Sequence, residues 1–322
     1  MDNCYSEGML MNGFSEGPNN ISLAATSETS SILPPVSLTQ SRRARAALTF
    51  STDPSGKTFL AGQRAEHPFH LTRPFQFKQD PEGMVTLYLQ SSSGGLYRGD
   101  ELKMDVKLEE NAQLHLTTQA STIVHHTRGQ TAKQSLNLKL AKNSYCEYLP
   151  DPTVLFSGAA FCSDIRVEIA ENARLLLSDS FSWHDPRYKN RPADEVADQA
   201  FDFYHSSIEI FNQKGKAIVL DRFRLTGEVA LSQNCAVHGE YEAQGTILLI
   251  DLALSEQVLL SLREMLYQVT DCYAGASKLP NDSGLIIRFL AEDNIALQHL
   301  LLQSWILLRE QLFGKTPLQR RK

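Results

Sequence analysis

The chain has 322 residues, of which 42% are hydrophobic and 21% are charged, and its 37 Asp and Glu residues outnumber its 31 Lys and Arg residues, for a net charge of −6. This composition is typical of a globular protein with a sizeable core, and the acidic balance argues against a nucleic-acid partner, which usually requires a basic excess. No stretch approaches the roughly 18 consecutive apolar residues of a membrane span, and the N-terminus lacks the basic and apolar regions of a secretory signal.

Residues 1–41 are rich in Ser, Asn, Thr, Gly and Pro and show no helical or strand periodicity. Such a segment cannot bury enough apolar surface to offset the entropy of ordering it. We therefore predict a disordered N-terminal extension over 1–41, one folded domain over 42–314 and a basic tail over 315–322. The five cysteines are scattered without a CxxC pair, which indicates free thiols and a cytoplasmic protein.

The most informative feature is a repeat of three segments that align on Asn111, Asn143 and Asn172. Apolar residues, or Cys146, fall at positions −7, −5, −3, +3 and +5 from each asparagine, and the copies are 32 and 29 residues apart. Alternation with a period of two indicates half-buried strands, and asparagine tolerates the unusual backbone angles of a turn. The repeat predicts a mostly β, layered or solenoid-like body of stacked strand–turn–strand units.

Further elements follow the repeat. Residues 184–199 are polar and predict a surface loop, and 207–223 predict a hairpin with its turn at Lys214–Gly215. GTILLIDLAL and SGLIIRFLAE are typical of strands. Two helices are predicted near the C-terminus, at about 255–269 with Ser255 as N-cap and at about 293–313 with Gly314 as its end.

A search for catalytic and metal-binding motifs finds little. There is no dinucleotide-binding GxGxxG and no nucleophile elbow, and the GKT at 314–316 follows a predicted helix, unlike a phosphate loop. His125 and His126 are adjacent, so on a strand they would point to opposite faces, and they are only weak metal candidates. We predict no catalytic residue, no firm metal site and no tightly bound cofactor. A transient site for a borderline metal such as nickel stays open.

A polar, uncharged run directly follows the best repeat strand. Its principal members are Thr117, Thr118, Gln119 and Thr122. Such a run can line a hydrated passage, or it can form a Thr-rich strand that makes ladder and cross-strand hydrogen bonds. The residues alone leave both interpretations open.

Several ordered motifs resemble one family. The stretch from Gly94 to Thr127 contains a Gly–Asp turn at Gly99–Asp100, an amphipathic strand and then TTQA. It resembles the characteristic segment of the urease accessory protein family UreD, called UreH in some bacteria. The likeness covers about 45–314, and the 1–41 extension and the 184–199 loop depart from the family pattern.

Two later segments carry the same resemblance. YCEYLPDPTVLFSGAAF is similar to the next family element, and YAGASKLPNDSGLIIRFLAED is similar to the C-terminal signature of the family. The matching residues to which we assign structural roles in these segments are Pro150, Thr153, Phe156, Gly275, Ser277 and Arg288.

The resemblance implies a mostly β body with a few helices and a role without catalysis. UreD-like proteins bind a UreF-like protein and, through it, a UreG-like GTPase, and the assembly docks on apo-urease and delivers nickel. The resemblance also implies an internal passage for the ion, and it assigns Thr117, Thr118, Gln119 and Thr122 to its lining.

Two other functions are carried as alternatives. A hydrolase or carbohydrate-active enzyme on a β-solenoid would need converging carboxylates with raised pKa values in a cleft. An interaction module unrelated to nickel would differ from a urease scaffold only in its partners.

Overall fold

A computed structural model describes residues 41–183, 200–251 and 255–318. The predicted extension therefore lies outside the described residues except for Ser41, and so do the 184–199 loop and the last four residues of the basic tail. The described residues belong to one unit of the chain, which begins at Ser41.

Strands dominate the described chain, and three α-helices accompany them. The strands are β1 (Arg43–Thr52), β2 (Thr58–Ala65), β3 (Phe69–Leu71), β4 (Val85–Ser91), β5 (Glu101–Leu108), β6 (Gln113–Thr118), β7 (Ile123–Val124), β8 (Ala132–Leu140), β9 (Tyr145–Tyr148), β10 (Thr153–Leu155), β11 (Ala160–Ile169), β12 (Arg174–Trp183), β13 (Phe203–Asn212), β14 (Ala217–Thr226), β15 (Ala243–Ile250), β16 (Cys272–Lys278) and β17 (Gly284–Ala291). The helices are α1 (Gly227–Leu231), α2 (Glu256–Tyr267) and α3 (Asn294–Phe313). A short 3-10 turn, Pro280–Asp282, precedes β17.

Two sheets are formed. Sheet 1 has seven strands in the order β14-β13-β11-β8-β5-β1-β2, and sheet 2 has ten strands, with a main order of β16-β17-β15-β12-β9-β6-β4-β3 and with β7 and β10 beside it. The core lies between them, because alternate residues of each strand point inward. Leu114 and Leu116 of sheet 2, for example, are fully buried with Val106 and Leu138 of sheet 1.

The predicted repeat is the centre of this fold. The strands before the asparagines, β5, β8 and β11, are parallel neighbours in sheet 1, and those after them, β6, β9 and β12, are parallel neighbours in sheet 2. Asn111, Asn143 and Asn172 have φ angles of 62°, 58° and 58°, and the Nδ2 of Asn143 donates to the Oδ1 of Asn111 at 3.3 Å. The prediction of a mostly β, layered body of stacked strand–turn–strand units is confirmed.

The two predicted C-terminal helices are present within one or two residues of their expected ends. Ser255 is the N-cap of α2, although its side chain makes no capping hydrogen bond. Gly314 ends α3 in the left-handed region with φ 65°. Both helices pack on the outer face of sheet 2 through leucines such as Leu262 and Leu300. No helix of the described segments is long and apolar enough to cross a membrane.

The hairpin at Lys214–Gly215 and the strand in SGLIIRFLAE are also present. GTILLIDLAL forms a strand only as far as Ile250, and residues 252–254 lie outside the described chain. Several elements were not predicted, among them β4, α1 and β16. The β16 sequence CYAGASK consists largely of small residues and lacks the β-branched side chains that mark a strand.

A buried ion-pair network fixes α3 on sheet 2. The Arg309 guanidinium donates to both Glu147 oxygens at 2.8 and 2.6 Å and to Asp80 Oδ1 at 2.8 Å. The indole of Trp305 donates to Glu147 at 3.0 Å, and His115 Nδ1 lies 2.7 Å from the same carboxylate. Burial alone would raise the pKa of Glu147, but the hydrogen bonds from Arg309 and His115 hold it far below its ordinary value.

Candidate passage between the sheets

A cavity of about 670 Å³ opens between the two sheets. Its walls are inward-facing residues of β5 and β8 on one side and of β9 on the other, and its rim is formed by the Ser91–Gly95 loop and by residues 118–123. We call it the outer cavity.

The structure divides the predicted passage residues. Thr118, Gln119 and Thr122 line the outer cavity. Thr117 is not among its lining residues: the alternation of β6 turns Thr117 toward α3, where its hydroxyl donates to the Leu149 carbonyl at 2.7 Å. Thr117 therefore makes the cross-strand hydrogen bond of the second interpretation. Thr118 Oγ1 also accepts a hydrogen bond, from the Asp151 amide at 2.8 Å, although Thr118 lines the outer cavity as well. The role of the three lining residues in ion passage stays a prediction.

A second, smaller cavity of about 30 Å³ lies deeper between the sheets. This volume is about the share of one water molecule in the liquid. Thr118, Thr122, Gln134 and Tyr148 line both this inner cavity and the outer one. These four residues therefore lie where the two cavities adjoin, and their side chains carry hydroxyl and amide groups; we call them the neck.

Asp179 is one of three aspartates that line the inner cavity, together with Asp151 and Asp164. The alternation of β12 places it on the inward face with Leu175 and Leu177. Its carboxylate accepts hydrogen bonds from Tyr204 Oη at 2.8 and 2.9 Å and from Ser206 Oγ at 2.5 Å. No Lys or Arg of the described chain lies within ion-pair distance of it. Burial raises the pKa of Asp179 above its ordinary value, and the hydroxyl donors offset only part of that effect.

A third cavity of about 300 Å³ lies between sheet 2 and α3. It shares Pro150 and Asp151 with the inner cavity, and His299 of α3 stands among its lining residues. Ser178 is 1% exposed, and its hydroxyl has no hydrogen-bond partner in the described structure. The outer, inner and α3-side cavities are thus arranged in series, each sharing lining residues with the next.

The two histidines that were weak metal candidates do not converge. His125 Nε2 lies 2.9 Å from the Gly94 carbonyl, and its ring stacks on Tyr97 with centroids 4.4 Å apart. The Nδ1 of His126 accepts a hydrogen bond from the Arg128 amide at 3.0 Å. Across the three described segments, no three His, Cys, Asp or Glu side chains are arranged to hold a metal ion.

The Gly–Asp turn of the resemblance anchors the start of the fold. Gly99 adopts a left-handed φ of 67°, and the buried carboxylate of Asp100 accepts hydrogen bonds from the Arg42 guanidinium and from the Tyr97 amide at 2.8 Å. Burial acts to raise the pKa of Asp100, but the hydrogen bonds from Arg42 lower it overall. The turn thereby joins the start of β1 to β5.

The other motif residues occupy two regions. Pro150 and Thr153 line the inner cavity, and Phe156 packs edge-on against His125 with centroids 5.2 Å apart. Gly275 and Ser277 are exposed on β16, and Arg288 on β17 pairs with Asp221 of β14 at 2.5 Å. Pro150 and Thr153 thus border the cavities, Phe156 packs beside them on His125, and the second group lies at the far edge of sheet 2.

Comparison with known proteins identifies the family of this chain. Residues 42–322 match the model of the family described as UreD urease accessory protein. The chain belongs to the UreD family. A role in urease maturation follows from this membership, and the match covers the whole described fold.

Individual UreD proteins are similar along nearly their full length. Urease accessory protein UreD 1 of Pseudomonas syringae pv. syringae (strain B728a) is 35% identical over 287 residues, which cover 89% of this chain and 98% of that protein. UreD 1 of Methylorubrum populi is 32% identical over 288 residues, covering 89% of this chain and 95% of that protein. UreD of Photorhabdus laumondii subsp. laumondii is 26% identical over 263 residues, covering 81% and 80%.

Sequence reasoning did not assign Asp179, Ser178 or Gln134 to the candidate site. The signal for Asp179 was present in LLLSDSFSW: an aspartate occupies the same alternate positions as Leu175 and Leu177, so it must face the core. Ser178 offered no such signal, since a serine on the opposite face of a strand is ordinarily exposed.

Proposed function

We propose that this UreD protein is a non-catalytic scaffold that binds apo-urease and a UreF-like protein and, through the latter, a UreG-like GTPase, and that it gives Ni²⁺ a route toward the urease active site. Family membership supports the assembly role. The observation that carries the route is the series of three cavities with Asp179 at its middle.

The lining suits an ion that must move. Conduction requires binding that is favourable enough for entry and weak enough for release. Hydroxyl and amide oxygens at Thr118, Thr122 and Gln134 can replace water around Ni²⁺ without holding it as firmly as a His and Cys cluster would. The charge of Asp179 offsets the cost of bringing a cation into a low-dielectric interior.

The enzyme alternative finds no support in these cavities. Glycoside hydrolysis needs two carboxyl groups on either side of the scissile bond. The outer cavity is large enough for a sugar, yet none of its described lining residues is Asp or Glu. Asp179 lies in a space of about 30 Å³, which is far too small for a sugar ring.

The test is a reconstituted activation assay. Apo-urease, the UreF-like and UreG-like partners, nickel, bicarbonate and GTP are combined with this chain or without it, and urease activity and bound nickel are measured. We expect omission of the chain to abolish activation. We expect Asp179→Asn to retain partner binding but to lower nickel delivery several-fold, because the variant removes the carboxylate charge of Asp179 while keeping the size of its side chain. Asp282→Asn, at an exposed turn, is the matched control. Full activation without the chain would refute the proposal.

A further inference from the structure

The two sheets differ in what covers their outer faces. α2 and α3 pack on the outer face of sheet 2, whereas no described element covers the outer face of sheet 1. Its parallel strands β1, β5, β8, β11 and β13 pair without a register shift. Outward side chains therefore form straight rows that cross the sheet at right angles to the strands.

Two neighbouring rows are rich in cations. The first runs in register from Arg43 through Lys133 to Arg224, and the second runs from Arg45 through Lys103 to Arg222. We call these the basic rows. Their acidic members are Glu101 and Asp164. The excess of cations is local, because the whole chain carries 37 acidic and 31 basic residues.

Half of these cations are not engaged with a carboxylate. Arg43 pairs with Glu101, Lys103 with Asp105 and Arg222 with Glu209, at 3.3, 3.8 and 2.9 Å. The side chains of Arg45, Lys133 and Arg224 have no acidic partner within ion-pair distance among the described residues. The Arg224 guanidinium instead lies over the Phe203 ring, 4.3 Å from its centroid. These three side chains are available to a carboxylate from outside.

The face also offers apolar contact and sufficient area. Leu220 of β14 is 59% exposed on the same side as Arg222 and Arg224. With strands about 4.8 Å apart and about 3.3 Å per residue, seven strands of roughly eight residues present about 890 Å². A standard protein interface buries about 800 Å² on each partner. One partner surface of ordinary size would therefore fit this face.

We propose that the outer face of sheet 1 is a docking surface for an acidic protein surface, and that the basic rows attract and orient that partner. The inference rests on the proposed function, in which the partner is a component of the urease assembly. A protein fits better than a nucleic acid, because Glu101 and Asp164 interrupt the rows and would repel a continuous phosphate backbone. Mixed charges with a cationic excess suit a folded acidic surface.

The test reverses the three unengaged cations. Arg45→Glu, Lys133→Glu and Arg224→Glu are combined in the full chain, and binding to the purified cognate UreF-like protein and to cognate apo-urease is measured at low and high salt. The matched control is Arg73→Glu, Lys78→Glu and Lys142→Glu, which makes the same charge change at exposed sites off this face. A second variant with glutamine at positions 45, 133 and 224 shows whether removing the positive charges, without reversing them, is sufficient to weaken binding. Circular dichroism verifies that every variant is folded.

For one of the two partners we expect the reversed variant to weaken binding by at least about tenfold, since like charges across an interface cost several kcal/mol. We also expect the salt dependence of that binding to shrink, while the control binds as the unmodified chain does. The inference would be overturned if the charge-reversed variant and its matched control bound the partners equally well, or if both bound them equally weakly. It would also be overturned if the charge-reversed variant lost binding only to a DNA duplex used as a polyanion probe. If the unmodified chain binds neither partner, the proposed function itself fails, and that result is distinct from the others.

Discussion

At the scale of single residues, Arg309 is the side chain on which the position of α3 most depends. It is fully buried and lies between the carboxylates of Glu147 and Asp80. Removing one partner of a buried ion pair is costly, because the remaining charge stays in a low-dielectric interior without compensation. The same network binds Trp305, which lines the α3-side cavity. Arg309 therefore stabilises both the position of α3 and one wall of the candidate route.

We expect Arg309→Met to lower the free energy of unfolding by about 3–5 kcal/mol at neutral pH. Arg309 helps to keep the pKa of Glu147 far below its ordinary value of 4.5, so its stabilising effect is complete above that value and is lost as the pH falls below it. The difference between the variant and the unmodified chain should therefore narrow in acid. Denaturant titrations at several pH values measure it.

The control for this prediction is the double variant Arg309→Met with Glu147→Gln. It removes one of the two stranded carboxylate charges and leaves that of Asp80, so it should recover part of the stability lost in the single variant and show a weaker dependence on pH. A loss that is the same at pH 3 and pH 7 would contradict the assignment of the effect to charge.

At the scale of elements, the asparagine turns determine how the repeat units stack. Each turn holds an asparagine with φ near 60°, and the amide of Asn111 donates to the carbonyl of Lys142 in the next unit at 3.1 Å. A left-handed backbone costs most L-residues about 1–2 kcal/mol, and asparagine and glycine less. Asparagine therefore allows each turn to adopt the left-handed backbone of the stacked units at a lower cost than most other residues would.

We expect Asn143→Ala to reduce the free energy of unfolding by about 1–2 kcal/mol, because alanine is strained at this φ and loses the bond to Asn111. Asn143→Gly should cost less, since glycine accepts the conformation and loses only the side-chain contact. Urea unfolding of the two variants compares them directly. If glycine proves the more damaging substitution, backbone strain is not the cause.

The repeat shows how far sequence reasoning reaches in this protein. Alternation around Asn111, Asn143 and Asn172 is local, so strands, turns and stacking could be predicted from it. The Arg309–Glu147 pair joins residues 162 positions apart, and nothing in either local segment indicates the other. The cavity neck likewise unites Thr118 with Gln134 and Tyr148, so the TTQA motif located the region, but only the fold could show that Thr117 turns away from it.

At the scale of the whole described unit, the candidate route and the proposed docking surface are separate. The route runs between the sheets and then toward α3, which covers sheet 2. The basic rows lie on the outer face of sheet 1, on the other side of the core. A chain arranged in this way can hold a partner on one face while the ion passes through its interior, and each capacity should be removable without the other.

The variant Thr122→Phe should separate the candidate ion route from the proposed docking surface. Thr122 lines both the outer and the inner cavity, so a phenylalanine there adds bulk to a neck whose inner side has room for about one water molecule. We expect partner binding to be unchanged and nickel delivery to urease to fall several-fold, whereas the charge-reversed basic rows are expected to weaken partner binding itself. Ser121→Phe is the matched control, because Ser121 lines only the outer cavity, where the same bulk leaves the neck open. Urease activity and nickel content after a fixed activation time are the measurements, and equal delivery by both variants would show that the ion does not pass through this neck.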